Sequence, residues 1–208
     1  MATPPDNNLP LFYNGIEPLS SSEHGSWRAR NVDRAPFLIN QHAIPLTIDE
    51  FGAAQRFFPI VFTQGVDAVP IALMAMNEGI NTFVDPDGKL TENVYVPAWV
   101  RRYPFMLARL RPDSDELSLC FDPTSEAIGP FEDGEPLFED GKPAPATTAI
   151  LAFCEQFEQA GQRTAAFMKE LAELKILIDG EVSIQPDGSD QPFIYRGFQM
   201  VSEEKLRE

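Results

Sequence analysis

The sequence predicts an α+β fold with a mixed, mostly antiparallel sheet. The 208-residue chain contains 19 prolines, which favours loops and short elements over a helical bundle. Its order is a set of candidate strands, one long amphipathic helical stretch and a closing hairpin, which differs from regular βαβ alternation. The 16 phenylalanines supply apolar side chains for a dry core.

A short capped helix is predicted near residues 47–58. In a capping box the hydroxyl of Thr47 accepts from the backbone N–H of Glu50, and the Glu50 carboxylate reaches back. Apolar residues follow at helical spacing, and Pro59 ends the helix. Strands are predicted, in chain order, once or twice within 11–39 and then at 60–62, 69–76, 83–85, 94–96, 105–110, 117–121, 182–184, 193–195 and 198–201.

A long amphipathic helical segment is predicted near residues 147–178. Gly161 is expected to bend this segment or to divide it into two helices. Small and polar residues in its apolar stripe favour packing on the protein's own sheet over a coiled coil. Apolar or small residues recur at alternating spacings of three and four, namely at Ile150, Phe153, Phe157, Ala160, Thr164, Phe167, Leu171, Leu174 and Ile178.

The chain is expected to form one α+β domain over residues 11–208, preceded by a flexible arm at residues 1–10. Residues 122–146 are predicted to be an acidic loop, rich in proline and glycine. The start has neither the basic nor the apolar region of a signal peptide. No apolar run approaches the roughly 18 residues of a membrane-spanning helix. We therefore expect a cytoplasmic location and no transmembrane segment.

The net charge of −16 restricts the classes of partner. Nucleic acids and anionic lipid surfaces are themselves negative and would be repelled, so both are excluded as expected partners. A small molecule, a partner protein or a second copy of the chain stays open. Cys120 and Cys154 each lie in an apolar stretch, which is typical of buried free thiols, although a disulfide is also compatible with the sequence.

The motifs of the best-marked enzyme classes are absent from the sequence, and no cofactor is predicted. His24 is the candidate catalytic residue, as a general base or an orienting group. We favour a hydrogen-bonded surface histidine, because no matched partner accompanies it. Asp85 and Asp87 are candidate metal ligands, but the spacing of a calcium loop fails after them. A hairpin turn at Gly88 is the favoured interpretation.

The segment Arg101-Arg102-Tyr103 is the main candidate for ligand binding. A guanidinium presents a planar fork that suits a carboxylate or a phosphate. An internal salt bridge is the alternative, which we favour in so acidic a chain. Trp99 and Tyr103 would suit a pocket wall or a core equally well.

Several longer stretches between Pro18 and Leu206 stand out as a set. They are Glu23-His24, Phe57-Phe58-Pro59-Ile60-Val61-Phe62, Asn81-Thr82-Phe83-Val84-Asp85, Asp87-Gly88, Tyr95-Val96-Pro97-Ala98, Arg101-Arg102-Tyr103-Pro104-Phe105 and Gly134-Glu135-Pro136-Leu137-Phe138. Together they resemble the SapC family of bacterial proteins, which is named for an association with surface-layer proteins. The chain departs from the family pattern at Thr82, where a leucine is usual, and at Leu90, where a tryptophan is usual.

The resemblance implies no established reaction and no catalytic residue. Genes for TonB-dependent receptors and flavin-dependent halogenases are expected near those of family members, which points to nutrient uptake or modification. Asn81 joins Arg101, Arg102, Tyr103 and Trp99 as a ligand-binding candidate.

Three functions are compatible with these observations. The first is a non-enzymatic binding or accessory protein in a bacterial uptake or envelope-related system. The second is an enzyme, metal-assisted or not, that uses His24 and nearby carboxylates. The third is a structural or interaction subunit that docks onto another protein.

Overall fold

The structure is a computed structural model, and it describes residues 9–111, 113–185 and 192–207. Residues 1–8 of the predicted arm and the predicted hairpin turn at residues 186–190 lie outside this range. The α-helices are α1 (Ser21–His24), α2 (Phe51–Ala54), α3 (Ala98–Arg102), α4 (Pro145–Leu174) and α5 (Glu203–Arg207). The strands are β1 (Glu17–Pro18), β2 (Arg28–Ala29), β3 (Ala43–Pro45), β4 (Ile60–Phe62), β5 (Pro70–Leu73), β6 (Phe105–Arg109), β7 (Leu117–Phe121), β8 (Ile128–Gly129), β9 (Glu135–Pro136), β10 (Phe138–Glu139), β11 (Lys142–Pro143), β12 (Leu177–Ile184) and β13 (Phe193–Val201).

These helices and antiparallel strands confirm the predicted α+β class. The chain folds into two compact units. The first unit contains Met1–Arg34 and Val100–Glu158, and the second contains Ala35–Trp99 and Gln159–Glu208. Each unit combines two stretches that are separated in the chain. The single domain over residues 11–208 stays a prediction.

The first unit contains a three-stranded antiparallel sheet in the order β1-β7-β6, a second one in the order β8-β2-β9, and the short hairpin of β10 and β11. Its core gathers Phe105, Phe121, Leu137 and Cys154. The prediction of a loop at residues 122–146 is wrong in part, because β8 to β11 lie within it. These strands have two residues each, which is too short to leave a hydrophobic alternation in the sequence.

The second unit is organised around a five-stranded sheet in the order β12-β13-β4-β5-β3. Every pairing in it is antiparallel. The predicted closing hairpin is confirmed by β12 and β13, which are longer than expected.

The helix α4 is continuous over 30 residues, so the prediction that Gly161 divides it into two helices is wrong, and a bend at Gly161 stays a prediction. Its predicted amphipathic stripe is confirmed by the burial of Ala160, Thr164 and Leu171. The helix ends before residue 178, because Lys175 adopts a left-handed conformation with φ of 54°. No helix in the described part of the chain is both long and apolar enough to cross a membrane.

The capping box at Thr47 and Glu50 is confirmed. It begins a 3₁₀ turn, Ile48–Glu50, which leads into α2. Glu50 is buried and accepts four hydrogen bonds: the backbone N–H and hydroxyl of Thr47 donate to Oε2 at 2.8 and 2.9 Å, while the hydroxyl of Tyr95 and the N–H of Ala98 donate to Oε1 at 3.0 and 2.6 Å. One carboxylate therefore joins the start of α2 to the start of α3.

Two strand predictions in the second unit are wrong. Residues 94–96 do not pair with the segment at Phe83, which forms a single bridge between Val84 and Leu90. The physical reason is the hydrogen bond from Tyr95 to Glu50, which directs this segment towards α3. The expectation of one or two strands within residues 11–39 is confirmed by β1 and β2, and residues 36–38 form a 3₁₀ turn.

Replacing Gly161 with alanine is expected to stabilise the protein by about 1 kcal/mol, because glycine costs that much in a helix interior. A Cβ built at Gly161 meets no heavy atom within 4 Å. Urea unfolding followed by circular dichroism measures the change. A loss of stability would contradict the continuous course of α4.

The variant Glu50→Gln is expected to lose about 2–4 kcal/mol of unfolding free energy. The hydroxyls of Thr47 and Tyr95 can rotate, but the backbone N–H groups of Thr47 and Ala98 cannot, so one of them must face the amide NH₂. The control is Glu170→Gln on the exposed side of α4, which is expected to stay within about 0.5 kcal/mol of the wild type. Equal stabilities in the two variants would refute the role of Glu50.

Candidate functional site

An apolar pocket of 470 Å³ lies on one face of the five-stranded sheet in the second unit. Its floor consists of Val61, Leu73, Val182 and Phe198, which come from β4, β5, β12 and β13. Because side chains alternate along a strand, neighbouring residues such as Phe62 point to the opposite face, which packs on α4. The helix thus covers one face of the sheet, and the pocket occupies the other.

A β-bulge shapes the floor of the pocket. The register of β12 and β13 shifts between Gly180 and Val182, and Gly197 has a φ of 94°, which only glycine adopts without strain. The extra residue brings Tyr195 and Phe198 to the same face, where their rings stack at 5.4 Å. A Cβ built at Gly180 would lie 2.1 Å from the Phe198 ring. The floor therefore requires glycine at residue 180.

The walls come from the segment before β4 and from the loop after β5. Met74 and Met76 supply flexible thioethers, which adapt to the shape of a ligand. Phe57 and Ile80 are 41% and 47% exposed, although a large apolar side chain is normally buried. Phe83 completes the wall. The residues that line this pocket carry no charge, within the part of the chain that the structure describes.

Asn81 positions this wall and does not itself line the pocket. It is 5% exposed. Its amide donates to the carbonyl of Gln41 at 3.0 Å and accepts from the N–H of Phe83 at 2.9 Å. The hydroxyl of neighbouring Thr82 donates to the carbonyl of Met74 at 2.6 Å. These bonds hold the loop after β5, which carries Thr82 and Phe83 of the pocket wall.

Tyr195 packs next to the floor of the pocket. Burial raises the pKa of Tyr195, and the charge of Glu78 raises it further. Tyr195 is therefore an uncharged phenol at neutral pH, and the chemical character of this region is apolar with a hydroxyl at its border.

Asp85 and Asp87 lie in the predicted turn. Oδ1 of Asp85 accepts from the backbone N–H groups of Asp87 and Lys89, at 3.0 and 2.8 Å. Gly88 has a φ of 81°, and a Cβ there would lie 2.9 Å from the backbone of Pro36. The turn is held by Asp85 through ordinary hydrogen bonds, and a metal-binding role for the pair stays a prediction.

His24 lies in the first unit, where potential ligand atoms of Glu17, Glu23 and His24 approach within 4.8 Å of one another. Nδ1 of His24 accepts from the N–H of Ser20 at 3.1 Å, so Nε2 of the neutral ring carries the proton and donates to Glu17 at 3.2 Å. A metal-bound histidine usually donates from its second nitrogen, whereas this one accepts. His24 is also only 2% exposed, so the expected surface location is wrong.

The aromatic contacts of His24 support a role in packing. Its ring lies 4.5 Å from the ring of Trp27 and 5.1 Å from the ring of Phe121, both edge-on. A catalytic function for His24 stays a prediction, and its surroundings in the first unit are those of a hydrogen-bonded core residue.

The candidates Arg101, Arg102 and Tyr103 lie in the first unit, and Trp99 and Asn81 in the second. Arg102 is buried, forms an ion pair with Glu158 at 3.3 Å and lies 4.2 Å from the centre of the Phe157 ring. This is the internal salt bridge that the sequence favoured for one of the two arginines. Arg101 is exposed, with its guanidinium 5.2 Å from the Phe153 ring. Trp99 is half-buried. A role for these residues in binding stays a prediction.

A second buried carboxylate lies beside Tyr103. Asp122 is fully buried, and Oδ2 accepts from the N–H of Asn14 at 2.7 Å and from the hydroxyl of Tyr103 at 3.3 Å. The N–H and hydroxyl of Thr124 donate to Oδ1. Burial raises the pKa of Tyr103, and the charge of Asp122 adds to the rise. Burial likewise raises the pKa of Tyr13.

The two cysteines are buried free thiols, as predicted. Burial raises the pKa of Cys154 to about 11 and raises that of Cys120 as well. Neither side chain supplies a thiolate nucleophile at neutral pH.

A protein-family model described as SapC matches residues 19–208. The chain belongs to the SapC family. No match was found for this SapC protein among curated proteins or among solved structures.

Sequence reasoning did not find the pocket of this SapC protein. Its walls use Phe57, Thr82 and Phe83, which lie in two of the stretches that carry the family resemblance. The pocket itself depends on long-range pairing, because β4, β5, β12 and β13 come together only in the folded sheet. The available signals were the paired methionines at 74 and 76 and the glycine in β12.

The variant Gly180→Ala is expected to displace the Phe198 ring and to destabilise the protein by about 1–3 kcal/mol, since overpacking has that cost. Urea unfolding measures the loss, and near-ultraviolet circular dichroism reports the moved aromatic pair. Gly161→Ala is the matched control. An unchanged near-ultraviolet spectrum with unchanged stability would contradict the close contact between Gly180 and Phe198.

Proposed function

We propose that this SapC protein is a non-enzymatic binding protein, and that its pocket holds the apolar part of an uncharged small molecule. The observation that supports the proposal is the 470 Å³ pocket on the second unit's sheet, with its apolar lining. Small-molecule sites in proteins are about 300–1,000 Å³ and are lined mostly by hydrophobic and aromatic side chains. The pocket falls in that class.

The net charge of the protein and the uncharged lining of its pocket both support an uncharged ligand. A chain of net charge −16 repels anions. A buried charge needs a partner, and the lining offers none among the described residues. The exposed amide of Asn77 is one polar group of the lining, so a ligand with one polar end and an apolar body fits the arrangement.

The absence of acid–base groups from the lining favours binding over catalysis. General acid–base catalysis needs a titratable side chain within hydrogen-bond reach of the substrate, and the described lining residues do not include one. The alternative, an enzyme that uses His24, has less support because the nitrogens of that ring are engaged with Ser20 and Glu17. A carboxylate or phosphate anchor at Arg101 is a further alternative for the ligand.

The cellular setting is also part of the proposal. A cytoplasmic location and an uptake or envelope-related role rest on the sequence composition and on the SapC family resemblance.

Nile red, an uncharged apolar dye whose emission rises in apolar surroundings, is expected to bind the protein. Ile80→Asp places a charge at an exposed pocket residue and is expected to weaken binding by about tenfold, which corresponds to about 1.4 kcal/mol. Val66→Asp is the matched control, because Val66 is fully exposed and does not line the pocket. Fluorescence titration gives both affinities. Equal affinities for the two variants, or no binding by the wild type, would refute the proposal.

A further inference from the structure

The two edge strands of the five-stranded sheet differ in how well they resist pairing with another chain. At one edge, β3 has three residues and ends in Pro45, and short edge strands with proline resist pairing with other chains. At the other edge, β12 runs for eight residues from Leu177 to Ile184 without a lysine, an arginine or a proline. Within the described residues β12 pairs only with β13. Among the described residues, no strand therefore lies beside the outer side of β12.

We propose that β12 is a docking site for an extended segment of a partner protein in which apolar and basic residues alternate. The segment adds to the sheet next to β12 through main-chain hydrogen bonds, and its side chains select the partner. This inference does not depend on the ligand of the pocket.

The alternation follows from the two faces of β12. Ile178, Val182 and Ile184 lie on the pocket face, and the two isoleucines are 37% and 38% exposed. An added strand would cover both with its own apolar side chains, because residues opposite each other on neighbouring strands share a face. This contact is the reason for the apolar residues at every second position of the proposed partner segment.

The basic residues of the partner segment follow from the opposite face of β12. Asp179 and Glu181 lie there, at positions that alternate with the isoleucines. Asp179 accepts from the amide of Gln64 at 3.1 Å, and Glu181 accepts from Arg196 at 2.6 Å. Since Arg196 compensates Glu181, Asp179 supplies the stronger local attraction for a lysine or arginine. The net charge of −16 also attracts a basic segment over a longer distance.

A second copy of the chain fits this edge less well. Antiparallel pairing of β12 with itself, centred near Gly180, brings Asp179 and Glu181 of both copies close together. Like charges at such cross-strand positions are destabilising. Two chains of net charge −16 also repel each other on approach. A basic partner segment removes both costs.

The test uses a synthetic peptide as long as β12 in which valine and lysine alternate, labelled for fluorescence anisotropy. A peptide of the same composition with its valines and its lysines in two blocks is the control, because it has the same charge without the two faces. The alternating peptide is expected to bind about tenfold more tightly, with an affinity that falls as salt rises. Hydrogen exchange is expected to slow at residues 177–184 and to stay unchanged at residues 43–45.

The variant Ile184→Lys is expected to weaken binding of the alternating peptide by about tenfold, because a lysine protects an edge strand and repels a basic segment. Val66→Lys adds the same charge at a fully exposed residue and is expected to change the affinity less than about twofold. Three results would overturn the proposal. They are equal binding of the two peptides, binding without protection of β12, and a dimer of the protein alone with β12 protected, which would assign the edge to a second copy.

Discussion

A buried carboxylate that is satisfied by four hydrogen-bond donors organises the second unit, and the rest of that unit depends on it. Glu50 joins the 3₁₀ turn to the segment of Tyr95 and Ala98. The same turn is tied to α4, because the N–H of Ile48 donates to the hydroxyl of Thr164. This attachment holds the helix on one face of the sheet and leaves the pocket on the other. In the first unit, Asp122 is satisfied by four donors in the same way.

The sequence predicts those parts of the fold that have local signals. The capping box at Thr47, the helix α4 and the hairpin of β12 and β13 follow from spacing and turn residues, and the structure contains all three. Residues 94–96 have the composition of a strand, but the bond from Tyr95 to Glu50 outweighs that propensity. The division expected at Gly161 is absent, because a single glycine costs only about 1 kcal/mol and the packing of a long helix exceeds that cost.

The candidate site was less predictable than the fold. Arginines and histidines stand out in an acidic sequence, yet Arg102 and His24 are buried beside Glu158 and Glu17 as parts of the first unit's interior. Residue type alone does not distinguish the apolar residues that line a pocket from those that form a core. What distinguishes Ile80 is its exposure of 47%. That exposure is a property of the folded chain and is not encoded in a short window of sequence.

The two proposed sites share one strand, which has a thermodynamic consequence. Val182 belongs to the pocket floor, and its neighbours Ile178 and Ile184 lie at the sheet edge. A partner strand would order β12, and a ligand in the pocket would contact the same strand at Val182. If ordering of β12 favours one event, it must favour the other by the same factor, because coupling between two binding sites is reciprocal. A binding protein built in this way would present its edge to a partner more strongly when its pocket is filled.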